Sequence, residues 1–179
     1  MAGLWKLPIV YVCENNLYGM GTSNERHSHN TKFYSRGDLH PGFKIDGQNV
    51  LAVRETMKMA GAYAIENGPM LIEFDTYRYH GHSMSDPGTT YRTKEEIADI
   101  RTGRDPIEIV RKMLLGEGWA EATELKDYEK MVRRQIDEDV EKIMKDPYPG
   151  PEELYTDIAV NNSEHYVRGV EHKMTYHNP

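Results

Sequence analysis

"FKIDGQNVLAVRETMKMAGAYAIENGPMLIEFDTYRY", residues 43–79, decides the fold. It opens on a short apolar run, "FKIDG", that reads as a strand ending in a turn. From Asn49 to Glu66 the spacing of Val50, Val53, Met57, Ala60 and Ala64 fits one face of a helix, and Asn67-Gly68 closes it. Gly61 sits inside that helix at a small cost in propensity. "PMLIEFDTYRY" then returns to strand. Strand, helix, strand in this order predicts a parallel βαβ unit and an α/β sheet.

Upstream, "LPIVYVCE", residues 7–14, is β-branched, aromatic and continuous, the pattern of a strand covered on both faces. "NNLYGMGTSN" breaks it with Asn and Gly. Downstream, Thr93-Lys94-Glu95-Glu96 forms a capping box for a helix reaching about Thr102. Asp105-Pro106 starts another, with Ile107, Val110 and Leu114 inward. Leu125, Tyr128, Val132, Ile136, Val140 and Ile143 mark a longer amphipathic helix that packs across the sheet or onto a partner. Its other face is rich in charge and reads as solvated. "DPYPGPEELY" bends the chain into a tail, which divides it into residues 1–150 and 151–179. The triplet beginning at Asn161 matches a glycosylation acceptor by chance.

The chain has 179 residues, 38% of them apolar, with a mean hydropathy of -0.74. That is low for a self-contained globule and implies that partner surface lies on another polypeptide. The net charge of -7 argues against a nucleic-acid face, which needs clustered Lys and Arg. No apolar run has the length to cross a bilayer. Cys13 is the single cysteine, so no internal disulfide forms, and its setting in "PIVYVCE" reads as a buried strand thiol.

Ligands of open α/β sheets gather beyond the carboxyl ends of the strands. Two polar, Gly-containing loops leave such ends: "ENNLYGMGTS" after the first strand and "YRYHGHSMSDPG" after the third. The first offers amide oxygens at Asn15 and Asn16 and turns at Gly19 and Gly21. Hard cations such as magnesium take oxygen ligands and share them with phosphate and water. The same residues equally describe an Asn-rich turn closing a strand. In the second loop His80 and His82 lack the neighbours of a zinc site. A histidine beside an anion donates hydrogen bonds instead, and Arg78 and Arg92 serve either an anion or a structural ion pair.

"ENNLYGMGTS" with "FKIDG", then "TYRYHGHSMSDPGTTYRTKEEI" and "RDPI", resembles the alpha subunit of the pyruvate dehydrogenase component that uses thiamine diphosphate. The resemblance covers essentially the whole chain. It implies an α/β thiamine-diphosphate-binding fold with a parallel sheet, incomplete at the N-terminus and followed by C-terminal helices. It further implies an alpha2-beta2 heterotetramer with a beta subunit, decarboxylation of pyruvate, and acetyl transfer to the lipoyl acyltransferase core in the mitochondrial matrix. By resemblance Asn16 gives a side-chain oxygen and Tyr18 a main-chain carbonyl to magnesium. His82 contacts the cofactor diphosphate and is needed for activity. Ser83 matches the principal inhibitory phosphorylation site of a regulatory kinase and phosphatase, and Ser23 matches a further one. Thr90 stands where many members carry a second regulatory serine.

The family's Gly-Asp-Gly, whose Asp ligates magnesium, does not occur in the sequence. The expectation is therefore a C-terminal portion of an alpha subunit, inactive alone. Branched-chain 2-oxo acid and acetoin dehydrogenase alpha subunits are the nearest rivals. From another class, a non-catalytic module could pair with beta and present a kinase-substrate loop.

Overall fold

The computed structural model describes residues 1–154. Within them the chain divides into one compact unit, Met1–Glu124, and a second from Leu125 onward. The first holds a parallel three-stranded sheet in the order β1-β5-β4, built from β1 (Val10–Asn15), β4 (Gly42–Asp46) and β5 (Met70–Asp75). Helix α2 (Val50–Asn67) joins β4 to β5 as predicted, and Asn49 caps it by accepting from the Leu51 and Ala52 N–H groups. Gly68 ends it at φ +102°, a conformation without penalty only for glycine. The βαβ unit read from residues 43–79 is thus present, with Phe43 opposite Ile72 and Asp46 opposite Asp75.

The core is small. Ala60, Met70, Ile72 and Phe74 are buried, with Val10, Phe43, Ile45, Val53 and Tyr63 packed against them. Helix α2 faces the sheet through Val53, Thr56, Ala60 and Ala64. Val50 and Met57, expected on that face, are exposed at its margins. The alanines win because their short side chains let helix and strands approach closely.

Strand β1 corrects a second expectation. It is an edge strand paired only to β5 in the described sheet, and its burial is partial, with Tyr11 and Val12 each 44% exposed. A continuous apolar run records the need for cover on both faces, not whether these residues supply it.

A two-stranded hairpin, β2 (Tyr18–Gly19) and β3 (Thr22–Ser23), follows β1 and leads into a single turn of helix, α1 (Asn24–His27). A 3-10 turn at Phe33–Arg36 precedes β4. Helices α3 (Lys94–Gly103) and α4 (Pro106–Gly116) lie near the expected limits, capped by Thr93 and Asp105. Glu96 does not close the box back onto Thr93; its carboxylate takes the Tyr77 hydroxyl at 2.8 Å. In α4 Val110 and Leu114 are half-buried, but Ile107 in the first turn points out at 69% exposure.

The second unit contains most of α5 (Ala122–Ile143), which carries the amphipathic stripe from Leu125 to Ile143 with i,i+3 and i,i+4 ion pairs such as Lys130–Asp127 and Arg134–Glu138. A 3-10 turn at Pro151–Leu154 follows. The rest of the expected tail and Asn161 lie outside the described residues. No helix among the described residues is long and apolar enough to cross a membrane.

Candidate functional site

The loops after β1 and β5 meet, as parallel pairing of their strands requires. Arg78 on the second loop donates to the Met20 carbonyl on the first at 2.6 Å. The Tyr18 and Tyr91 rings lie 5.4 Å apart, in the range of favourable tilted aromatic pairs. A side chain at Gly21 would press on the Tyr91 ring, its Cβ only 3.0 Å away. The expected convergence of the two polar segments is therefore real.

The first loop is organised by its asparagines. Asn15 Oδ1 accepts from the Leu17 N–H at 3.0 Å, and Asn16 Oδ1 accepts from the Tyr18 N–H at 3.1 Å. These successive Asx turns hold Leu17 at φ +70°, a left-handed conformation uncommon for a residue of its kind. Met20, at φ +56°, opens the two-residue turn of the hairpin. Asn16 and Tyr18 line a cavity of about 260 Å³ together with Cys13, Glu14, Asn24 and His27. Cys13 is half-buried there, and burial, then the Glu73 carboxylate, push its thiol pKa up, as fits an unreactive strand thiol.

The second loop is folded around Asp86. Its carboxylate accepts from the His82 N–H at 2.8 Å, the Gly88 N–H at 2.8 Å and the Tyr91 hydroxyl at 2.7 Å. Pro87 followed by Gly88 at φ +71° is the pairing that suits a type II turn, and it lets one carboxylate reach donors on both sides. Gly81 is needed for a different reason: a Cβ there would collide with the Asp86 carbonyl oxygen. The bonds from His82, Tyr91 and Gly88 hold the Asp86 carboxyl down at about 2.

A depressed pKa stabilises the loop above the ordinary Asp value, and that contribution disappears as pH falls towards the folded value. Pepsin cleavage within residues 78–92 is therefore expected to stay low at about pH 4 and rise steeply towards about pH 2. Asp86→Asn should be cleaved at both.

The two arginines behave as structural clamps. Arg92, only 3% exposed, donates to the Arg78 carbonyl and, at 2.9 Å, to the His80 carbonyl. Its guanidinium lies 5.2 to 5.6 Å from the Tyr18, Tyr77 and Tyr91 rings. Burial, then the bond to Glu96, push the Tyr77 hydroxyl up to about 12, so it stays a donor. Arg78 is occupied by Met20, His80 and Tyr91.

His82 and Ser83 are exposed on this scaffold, and Ser83 shares a hydrogen bond with Ser85 at 3.1 Å. Thr90 is exposed as well, and Ser23 is half-buried in β3. The 260 Å³ cavity is lined by Asn16 and Tyr18 and not by His82. Among the described residues no three His, Cys, Asp or Glu side chains gather as a metal site. Glu73, Asp86 and Tyr91 went unnoticed in the sequence, although a glutamate inside the apolar run of β5 is the kind of residue that warns of a buried polar network.

Residues 1–152 match the dehydrogenase E1 component family. The chain belongs to it. Among its relatives are the mitochondrial pyruvate dehydrogenase E1 component subunit alpha-1 of Oryza sativa subsp. japonica, 52% identical, and the corresponding mitochondrial alpha subunit of Schizosaccharomyces pombe, 50% identical. These matches cover 89% and 99% of the chain but 41% and 44% of the relatives. The testis-specific human alpha subunit is 50% identical over 94% of the chain and 44% of its own length. The chain thus spans about two-fifths of the length of these E1 relatives.

Proposed function

We propose that this E1 chain forms the part of a pyruvate dehydrogenase alpha subunit that grips magnesium and the diphosphate of thiamine diphosphate. The carrying observation is the tie between the two loops, Arg78 to the Met20 carbonyl and Tyr18 against Tyr91, beside a cavity lined by Asn16 and Tyr18. The donor set suits a hard cation. An amide oxygen and a main-chain carbonyl are neutral oxygen ligands, and magnesium completes such sets with phosphate and water. Asn16 Oδ1 accepts one N–H bond, which leaves a lone pair for a metal.

In this reading Asn16 and the Tyr18 carbonyl hold magnesium, and His82 donates to the diphosphate from the rim of the second loop. Thiamine diphosphate, when bound, supplies the nucleophilic carbon and the electron sink for decarboxylation of pyruvate. The chain's own residues bind and orient. Left-handed Leu17 turns the Tyr18 main chain, Asp86 sets the backbone that carries His82, and Arg92 fixes the segment before it. Acetyl transfer to a lipoyl acyltransferase core, pairing with a beta subunit, and a mitochondrial matrix location extend the same reading from the relatives' names and the family's chemistry. Ser83, Ser23 and Thr90 are the proposed kinase targets.

Titration of thiamine diphosphate, with and without magnesium, into the chain paired with its beta subunit tests this. Magnesium-dependent binding is expected, weakened in Asn16→Ala by at least about tenfold, the lower end of what even an outer-shell partner contributes. If the paired chain binds no cofactor, the second reading stands, a partner-binding module with a kinase-substrate loop.

A further inference from the structure

The most buried charge in the described chain lies outside the residues assigned above to magnesium and diphosphate. Glu73, at 0% exposure in the middle of β5, is the only charged side chain among the fully buried large residues. A carboxylate at that depth is tolerated when both oxygens are engaged. Oε1 accepts from Asn15 Nδ2 at 2.8 Å, and Oε2 accepts from the Tyr34 N–H at 2.9 Å. Lys44 Nζ, 3.7 Å from Oε1, adds a looser ionic contact.

These bonds continue into the first loop. Asn15 is itself 6% exposed and stands where β1 ends. With Nδ2 on Glu73, its Oδ1 is turned onto the Leu17 N–H, the bond that stabilises Leu17 in the left-handed region. The Leu17 carbonyl in turn accepts from the Asn24 N–H at 2.8 Å, which closes the loop at its far end. Asn16 and Tyr18 flank that residue. The second oxygen of Glu73 meanwhile holds the 3-10 turn at Phe33–Arg36, whose Phe33 lines the same cavity.

We infer that Glu73 is a positioning residue for the cation loop: through Asn15 it sets the backbone at Leu17, and so the aim of the Asn16 amide and Tyr18 carbonyl. The inference rests on the proposed magnesium reading only for what the loop holds. The chain of bonds is independent of it.

The count of donors and acceptors here leaves no slack. Glu73→Gln is close in shape but replaces one acceptor oxygen by an NH₂ group. With its oxygen toward Tyr34, the new amide faces Asn15 Nδ2, donor against donor. With its oxygen toward Asn15, the NH₂ group faces the Tyr34 N–H. Flipping Asn15 moves the conflict to the Leu17 N–H. Every arrangement leaves one donor of this buried and half-buried network unpaired. Asn15→Asp combined with Glu73→Gln inverts the pair and satisfies all of it. The carboxylate introduced at position 15 accepts from the NH₂ group introduced at position 73 and from the Leu17 N–H, while the new amide oxygen at position 73 accepts from the Tyr34 N–H.

The test is amide hydrogen exchange of the cofactor-free chain at Leu17 and Tyr34, followed by magnesium-dependent thiamine diphosphate titration of the chain paired with beta. Glu73→Gln should speed exchange by at least about tenfold, the change that goes with an unpaired donor, and Asn15→Asp should speed it as well, because it sets two carboxylates oxygen to oxygen and their repulsion drives the end of β1 from β5. The double variant should return to within about threefold of the unmodified chain, and its magnesium-dependent affinity should recover with it. Unchanged exchange in Glu73→Gln overturns the inference. So does a double variant that regains neither protection nor fold, because the inverted pair keeps every donor matched to an acceptor and should therefore hold the loop. If the unmodified chain shows no magnesium-dependent binding, the proposed function fails while the exchange result still judges Glu73.

Discussion

Arg92→Ala is expected to destabilise the chain by about 3 kcal/mol, a sum built from two main-chain acceptors losing a charged donor. The Arg78 and His80 carbonyls both take their hydrogen bonds from this one side chain, which is 3% exposed. Its removal also leaves a space bounded by the Tyr18, Tyr77 and Tyr91 rings, each of which faces the guanidinium. The damage should be local as well as global. Tyr18 belongs to the first loop, Tyr77 to the end of β5 and Tyr91 to the second loop, so one side chain fastens three segments. Denaturant titration reads the first effect, and thermolysin cleavage between residues 77 and 92 reads the second. Arg92→Lys should fall between, since an ammonium keeps the attraction of the rings but cannot fork to both carbonyls. Equal stability and equal cleavage of Arg92→Ala and the unmodified chain would refute the clamp.

Arg92 also shows where sequence reading stops. The βαβ unit was legible because its evidence is local: an apolar run, helical spacing, a glycine stop, another apolar run. The capping of α3 by Thr93 and of α4 by Asp105 was legible for the same reason. The meeting of the two loops followed from topology, since parallel neighbours send their loops out at one end. What stayed hidden was long-range and polar. Nothing in "TTYRTKEE" separates an arginine that binds a ligand from one that binds carbonyls fourteen and twelve residues away. Glu73 sits in an apolar run, yet its partners come from residues 58 and 39 positions distant. Exposure failed in the other direction at Ile107 and β1, where an apolar pattern states a preference for cover and the described residues leave those side chains in solvent. The roles proposed for Asn16, Tyr18 and His82 rest on resemblance, for amide and main-chain ligands have no spacing rule like that of zinc.

Ser83→Glu should open the second loop and lower the activity of the assembled enzyme by at least about tenfold, a change that corresponds to modest free energy in a transition state. The reason lies one turn away. The Ser83 carbonyl accepts from the Asp86 N–H at 3.0 Å, so the serine stands at the start of the turn that carries the Asp86 carboxylate. That carboxylate holds the His82 and Gly88 N–H groups and the Tyr91 hydroxyl. A new negative charge beside it repels the group on which the loop is folded, and a phosphoryl group, with about -1.5 to -2 charges, repels it more. Arg78 and Arg92 keep their positive charge, but their bonds to carbonyls and Tyr91 hold them in place, so they attract the new charge without turning to pair with it. Ser83→Ala removes only the bond to Ser85 and should leave the loop closed. Chymotrypsin cleavage at Tyr79 and Tyr91 separates the two variants: fast in Ser83→Glu, slow in Ser83→Ala. Both charges lie at the surface of the loop, so about 0.5 M salt, with a Debye length near 4 Å, should restore much of the protection. Equal cleavage of Ser83→Glu and the unmodified chain at low salt would show that the loop does not depend on Asp86 standing free of a second negative charge.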